Sequence, residues 1–177
     1  MLLEKVRTMS NPFSEEDVIG IIKNKDKNID IRQVEKLYYP YMWLVFRAKT
    51  GKNKKNPGKM TYCMVDMVRG REAIGTGDME LEDIDVDAEI VMPAKFTEDE
   101  IVEKSKDFML QAMLKQLKML VIPELDLVDK ELVHKLFYVV HCKDKDGKDF
   151  FIMVDSLEAN LTILLTQIGR ASCRERM

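Results

Sequence analysis

Phe13-Ser14-Glu15-Glu16-Asp17-Val18 returns later in the chain as Phe96-Thr97-Glu98-Asp99-Glu100-Ile101, and Met64-Val65-Asp66 returns as Met153-Val154-Asp155. Each Val-Asp phrase follows an apolar run and a Gly-Lys turn, Gly51-Lys52 and then Gly147-Lys148. Two phrases repeated in one order, with loops of unequal length between them, point to a duplicated structural module. Around these phrases the expected fold is α+β: two related helix–strand–turn–strand modules with an antiparallel sheet.

The first helix follows the breaker Asn11-Pro12. Ser14 suits the N-cap, and Glu15, Glu16 and Asp17 place negative charge in the first turn, where the helix dipole favours it. Val18, Ile19, Ile21 and Ile22 carry the apolar face, so the helix is predicted to run to about Lys23, with a polar loop at Asn24–Asn28. The second helix opens on a capping box, Thr97 with Glu100, and repeats apolar residues from Ile101 through Met109, Met113, Leu117 and Leu120 until Pro123 stops it.

Val34–Lys49 is the strongest strand signal, being rich in aromatic and β-branched residues. Alternation puts Leu37, Tyr39, Tyr41, Trp43 and Val45 on one face and Tyr38, Pro40, Met42, Leu44 and Phe46 on the other. Pro40 cannot donate to a ladder, which predicts an edge or a bulge. Met60–Val68 is the returning strand, Ala73–Gly77 a short further one. Val133–Cys142 and Phe150–Ser156 form the second hairpin, turned by Asp146-Gly147. Leu161–Gln167 reads as a last strand. Asp78–Glu89 holds seven carboxylates; it reads as an edge strand or a connection, with a strand placed at Val86–Met92. The resulting division is an N-terminal extension at 1–10, a first module at 11–93 and a second at 94–168. Residues 169–177 resemble translated sequencing-adapter read-through and read as a non-native tail that displaces the natural C-terminus.

Hydrophobic residues make up 46% and charged residues 33% of the 177, a soluble globular balance rather than a disordered one. A net charge of −3 argues against nucleic acid as the main partner. No apolar run reaches the roughly 18 residues of a membrane span, and the opening Met1–Arg7 lacks the apolar core of a signal peptide, so a cytoplasmic location is expected. Cys63, Cys142 and Cys173 are too widely spaced for a zinc clip or a disulfide framework. The 13 methionines are read first as core filling.

No catalytic signature is present, and neither a metal nor a cofactor is expected. Asp144, Asp146 and Gly147 imitate a calcium loop, but the positions that should hold acids hold Cys142 and Met153, so the segment reads as a hairpin turn. His134 and His141 lie seven apart on a strand and point to opposite faces, which leaves too few soft ligands for zinc even if His141 approached Cys63. Asp66 and Asp155 are conceivable acid/base groups for a hydrolase-like or metal-dependent enzyme; capping a turn explains their recurrence more simply. Lys49, Lys52, Lys54, Lys55 and Lys59 beside Tyr38, Tyr39, Tyr41 and Trp43 offer an alternative single-stranded nucleic-acid platform.

The aromatic strand is the feature that stands out. Tyr39, Tyr41 and Trp43 share a face, and Tyr and Trp are favoured interface anchors. The plainer reading is a core strand beneath the first helix. Leu136-Phe137-Tyr138-Val139-Val140 in the second module has fewer aromatics, so the modules diverge most here. The expected contact surface for a protein or peptide partner is Tyr39, Tyr41 and Trp43 with Lys52, Lys54 and Lys55. The module order, with Val-Asp closing the second strand in Leu37–Lys49 with Met60–Gly70 and in Leu136–Ser156, resembles PepSY-type and related cystatin-like modules. That resemblance implies small α+β units that act as inhibitors, propeptide parts or regulators, and it carries no functional residue to this chain.

Overall fold

The computed structural model describes residues 1–10, 12–50, 57–115, 118 and 120–164. Among them lie two α-helices, a 3-10 turn and eight strands, so the class is α+β with strands predominating. The sheet is mixed rather than purely antiparallel, because Thr8 of β1 pairs parallel with His134 of β6. In chain order the elements are β1 (Leu3–Met9), α1 (Glu15–Lys25), β2 (Asp30–Lys49), β3 (Lys59–Asp66), β4 (Glu72–Ile74), β5 (Leu81–Asp87), α2 (Glu98–Lys115), β6 (Glu124–Lys143), β7 (Asp149–Asp155) and β8 (Leu161–Leu164).

Local signals act as their chemistry predicts. Ser14 and Asp17 form a reciprocal capping box at α1, and Thr97 and Glu100 form one at α2. Asp144 turns the second hairpin: its Oδ1 accepts from the Asp146 and Lys148 N–H groups at 2.8 and 2.9 Å. Pro40 stands one residue before the first β2–β3 pair, Tyr41 with Asp66, so its missing N–H interrupts no rung of that ladder.

Several boundaries depart from expectation. Both long strands are 20 residues and begin well before the aromatic or β-branched runs that signalled them. Residues 1–10 hold a strand, β1, that pairs antiparallel with β5. The strand expected at Val86–Met92 lies instead at Leu81–Asp87, and a 3-10 turn capped by Asp87 follows it. The acidic run makes a strand because β1 supplies cations opposite: Lys5 faces Asp85, and Arg7 grips both carboxylate oxygens of Asp83 at 2.9 and 3.3 Å. Helix α2 ends at Lys115 in the described residues, and Leu120, expected on its apolar face, is fully exposed. Leu117 lies outside the described residues, as do 165–167 of the last expected strand and the tail at 169–177.

The chain forms two compact units, each gathered from separated segments. The first takes Met1–Tyr39, Glu80–Pro93 and the described residues from His134 onward; the second takes Pro40–Met79 and Ala94–Val133.

In the first unit the strands run β5-β1-β6-β7-β8, and α1 supplies Val18 and Ile22 to a core with Leu136, Tyr138, Val140, Cys142, Ile152 and Val154. Ile29, Ile31 and Val34 pack against that core, which is why β2 begins where it does. In the second unit the strands run β4-β3-β2, and α2 supplies Ile101, Met109 and Met113 to a core with Met42, Leu44, Phe46, Cys63 and Val65. Thus the aromatic strand is divided between two cores: Val34 and Tyr38 pack with α1, the helix that precedes it, as its place in the sequence implied, whereas Met42, Leu44 and Phe46 pack with α2. Among the described residues Met42, Met67, Met92, Met109 and Met113 are buried.

Candidate partner-binding face

Alternation along β2 turns Met42, Leu44 and Phe46 into the α2 core and leaves Tyr41, Trp43 and Val45 on the opposite side of the sheet. On that side the register sets Trp43 opposite Met64 and Val45 opposite Tyr62. The Trp43 indole stacks on the Tyr62 ring, with centroids 6.0 Å apart and planes 6° from parallel. Its N–H donates to the Thr76 carbonyl at 3.0 Å, which satisfies the one polar atom of the ring and fixes its orientation. Gly77 passes against the Tyr62 ring, where a Cβ would lie 2.5 Å from Cζ of the phenol; only glycine lets the chain pass so near. Gly75 N–H bonds the Tyr62 carbonyl at 2.8 Å. Gly75-Thr76-Gly77, which carries no phosphate-loop signature, therefore serves as a clamp on an aromatic pair.

Trp43 and Tyr41 are half-buried, neither core nor fully exposed. Tyr39 differs: it belongs to the first unit, is 3% exposed, and meets the edge of Phe137 at 5.7 Å. Lys52, Lys54 and Lys55 lie outside the described residues. Tyr62 was not singled out from the sequence. The signal that finds it is register: once Met64-Val65-Asp66 is paired against β2, Tyr62 must share a face with Trp43.

The first unit carries a related face with other chemistry. There Val139 stands opposite Met153, where the second unit sets Trp43 opposite Met64. The ring stack has moved one pair along the ladder, to His141 on Phe151 at 4.9 Å, with His141 Nε2 2.9 Å from Asp149 Oδ1.

Asp66 and Asp155 have matching structural work. Asp66 Oδ1 accepts from the Val68 and Arg69 N–H groups at 2.8 and 2.9 Å; Asp155 Oδ1 accepts from Leu157 and Glu158 at 2.9 and 3.2 Å. The other Asp155 oxygen meets Lys135 at 2.5 Å in a nearly enclosed ion pair. Burial pushes the Cys63 and Cys142 thiols up to about 11, so both are protonated near neutrality and poorly nucleophilic. His134, 6% exposed, is pushed down to about 4 by burial, and its Nδ1 has no hydrogen-bond partner; the buried Ser156 hydroxyl has none either. Among the described residues no group of three or more His, Cys, Asp or Glu side chains is placed to hold a metal ion. No helix among them is long and apolar enough to cross a membrane.

No protein-family model, curated protein or solved structure matches the chain.

Proposed function

We propose that this chain is a non-catalytic binding or regulatory protein, built from a duplicated α+β module of the PepSY or cystatin-like kind, that takes a protein or peptide partner on the Tyr41/Trp43/Tyr62 face. The observation that carries the reading is the clamped Trp43–Tyr62 pair, held on the side of the sheet away from the α2 core. A ring whose N–H is already bonded and whose plane is fixed loses little freedom when a partner covers it, which is what makes Trp and Tyr effective anchors. The lysine-rich stretch through Lys52, Lys54 and Lys55 follows β2 directly in sequence and would suit an acidic flank on the partner. Buried free thiols at Cys63 and Cys142 fit a reducing, cytoplasmic setting.

Duplication is supported by contacts that recur in kind. Met67 N–H bonds the Pro40 carbonyl at 3.1 Å, and Ser156 N–H bonds the Leu136 carbonyl at 3.2 Å. Phe96 N–H reaches the Met67 carbonyl at 3.3 Å, and Phe13 N–H reaches the Ser156 carbonyl at 2.6 Å. Thr8 pairs parallel with His134, and Val91 with Tyr38.

Selection of peptides from a random display library against the intact protein tests the reading. Selected peptides are expected to lose at least about tenfold in affinity, roughly 1.4 kcal/mol, on Trp43→Ala and on Tyr62→Ala, with the circular dichroism of both variants unchanged. They are expected to bind Val139→Ala as they bind the parent. Peptides that bind Trp43→Ala and the parent equally would sink the proposal.

A further inference from the structure

Residues 1–78 contain β1, α1, β2, β3 and β4, and residues 79–164 contain β5, α2, β6, β7 and β8. Neither segment covers its own hairpin. In the first unit α1, from the first segment, shares a core with β6 and β7 from the second. In the second unit α2, from the second segment, shares a core with β2 and β3 from the first. The entry to each helix is fastened the same way: Phe13 to Ser156, and Lys95 and Phe96 to Met67. The edge pair crosses too, since β1 belongs to the first segment and β5 to the second.

We infer that the two segments are obligate binding partners, each presenting an apolar hairpin face whose occupant is the other's helix, so that the covalent link at Asp78–Met79 is dispensable once the protein has folded. The apolar faces make the case. Uncovering the first-unit hairpin would expose Val140, Cys142, Ile152 and Val154, each at most 3% exposed; uncovering the second would expose Leu44, Phe46, Cys63 and Val65, all fully buried. Faces of that kind are not left in water by a soluble chain. A segment standing alone has a helix without its hairpin and a hairpin without its helix. A second copy of itself supplies both, so the chemistry that joins the two segments also fits a self-exchanged pair. This inference is independent of any ligand at the Trp43 face.

The test uses the full chain with a protease recognition sequence inserted between Asp78, which is exposed, and Met79. After cleavage of the folded protein, both pieces are expected to elute together at the apparent size of the uncut chain, with unchanged circular dichroism. They should part only in denaturant. As a second arm, Ile22→Asp combined with Met113→Asp, cut in the same place, should release the pieces without denaturant. Separation of the unsubstituted pieces in native buffer, folded or unfolded, overturns the inference, as does continued co-elution of the doubly substituted pieces.

Discussion

The turn after β3 and the turn after β7 share a backbone and differ in nearly every side chain. In both, an aspartate caps the following N–H groups, the aspartate carbonyl accepts from a residue four further on, and that residue has positive φ: Gly70 at 72° and Ala159 at 56°. Around this common frame the second unit buries Met67 in its core and sets the Lys104 ammonium on the Gly70 carbonyl, while the first holds Ser156 and His134 at a depth comparable to Met67, with unpartnered polar atoms. Hydrogen bonds made by the backbone survive any substitution that keeps φ and ψ, so they persist. What fills the space between them is free to change. The comparison teaches that the scaffold is held by main-chain geometry and that individuality, including the Trp43 stack, is written in side chains.

Core position gives the largest way to break the comparison. Phe46 is fully buried, and Phe46→Ala is expected to cost about 4 kcal/mol in urea unfolding through the cavity it leaves. Cys142 stands two residues beyond Val140 in the first-unit core as Phe46 stands two beyond Leu44 in the second; Cys142→Ala should cost about 1 kcal/mol, because so little volume is removed. Equal costs would mean the two cores are not built around corresponding sites.

Next comes pH. His134 titrates near 4 when folded and near 6.5 when exposed, so the unfolded chain binds more protons between those values. Stability is therefore intact above about pH 6.5 and falls as pH drops toward 4, by up to about 3 kcal/mol at 1.36 kcal/mol per pH unit. His134→Phe should flatten that part of the profile in chemical denaturation followed across pH. A slope unchanged by the substitution would assign the acid sensitivity elsewhere.

The turns themselves sharpen the contrast at smaller scale. At Gly70 an added Cβ would sit 2.8 Å from the Phe96 ring in a left-handed conformation, so Gly70→Ala should lose about 2 kcal/mol. Ala159 already occupies that conformation, and Ala159→Gly should gain less than about 1 kcal/mol, since relief of strain is partly offset by the freer unfolded chain. Thermal unfolding of the two variants distinguishes opposite signs directly.

What could be read from the sequence was local. Ser14 with Asp17, Thr97 with Glu100, and the Asp144 turn are each complete within five residues, and each sits where its chemistry predicts. The early starts of β2 and β6 depend on which core Ile29, Ile31, Leu125 and Leu127 pack against, and composition alone cannot convey that. β1 was hidden because Lys5 and Arg7 make it look like a solvated end until Asp83 and Asp85 are set opposite. The aromatic face was partly legible: alternation joined Tyr41 to Trp43, whereas the burial of Tyr39 and the closure over Tyr62 needed the third dimension. The exchange of helices left no mark, because a helix's apolar stripe does not state which hairpin it will cover.

Amide hydrogen exchange on Ile22→Ala reads that exchange most directly. Ile22 lies in the first segment but shares its core with β6 and β7. The account predicts that protection falls across Asp149–Asp155 and the end of β6 while Lys59–Asp66 keeps its parent rates. Loss of protection in Lys59–Asp66 with β7 unchanged would contradict it and return α1 to the hairpin that follows it in sequence.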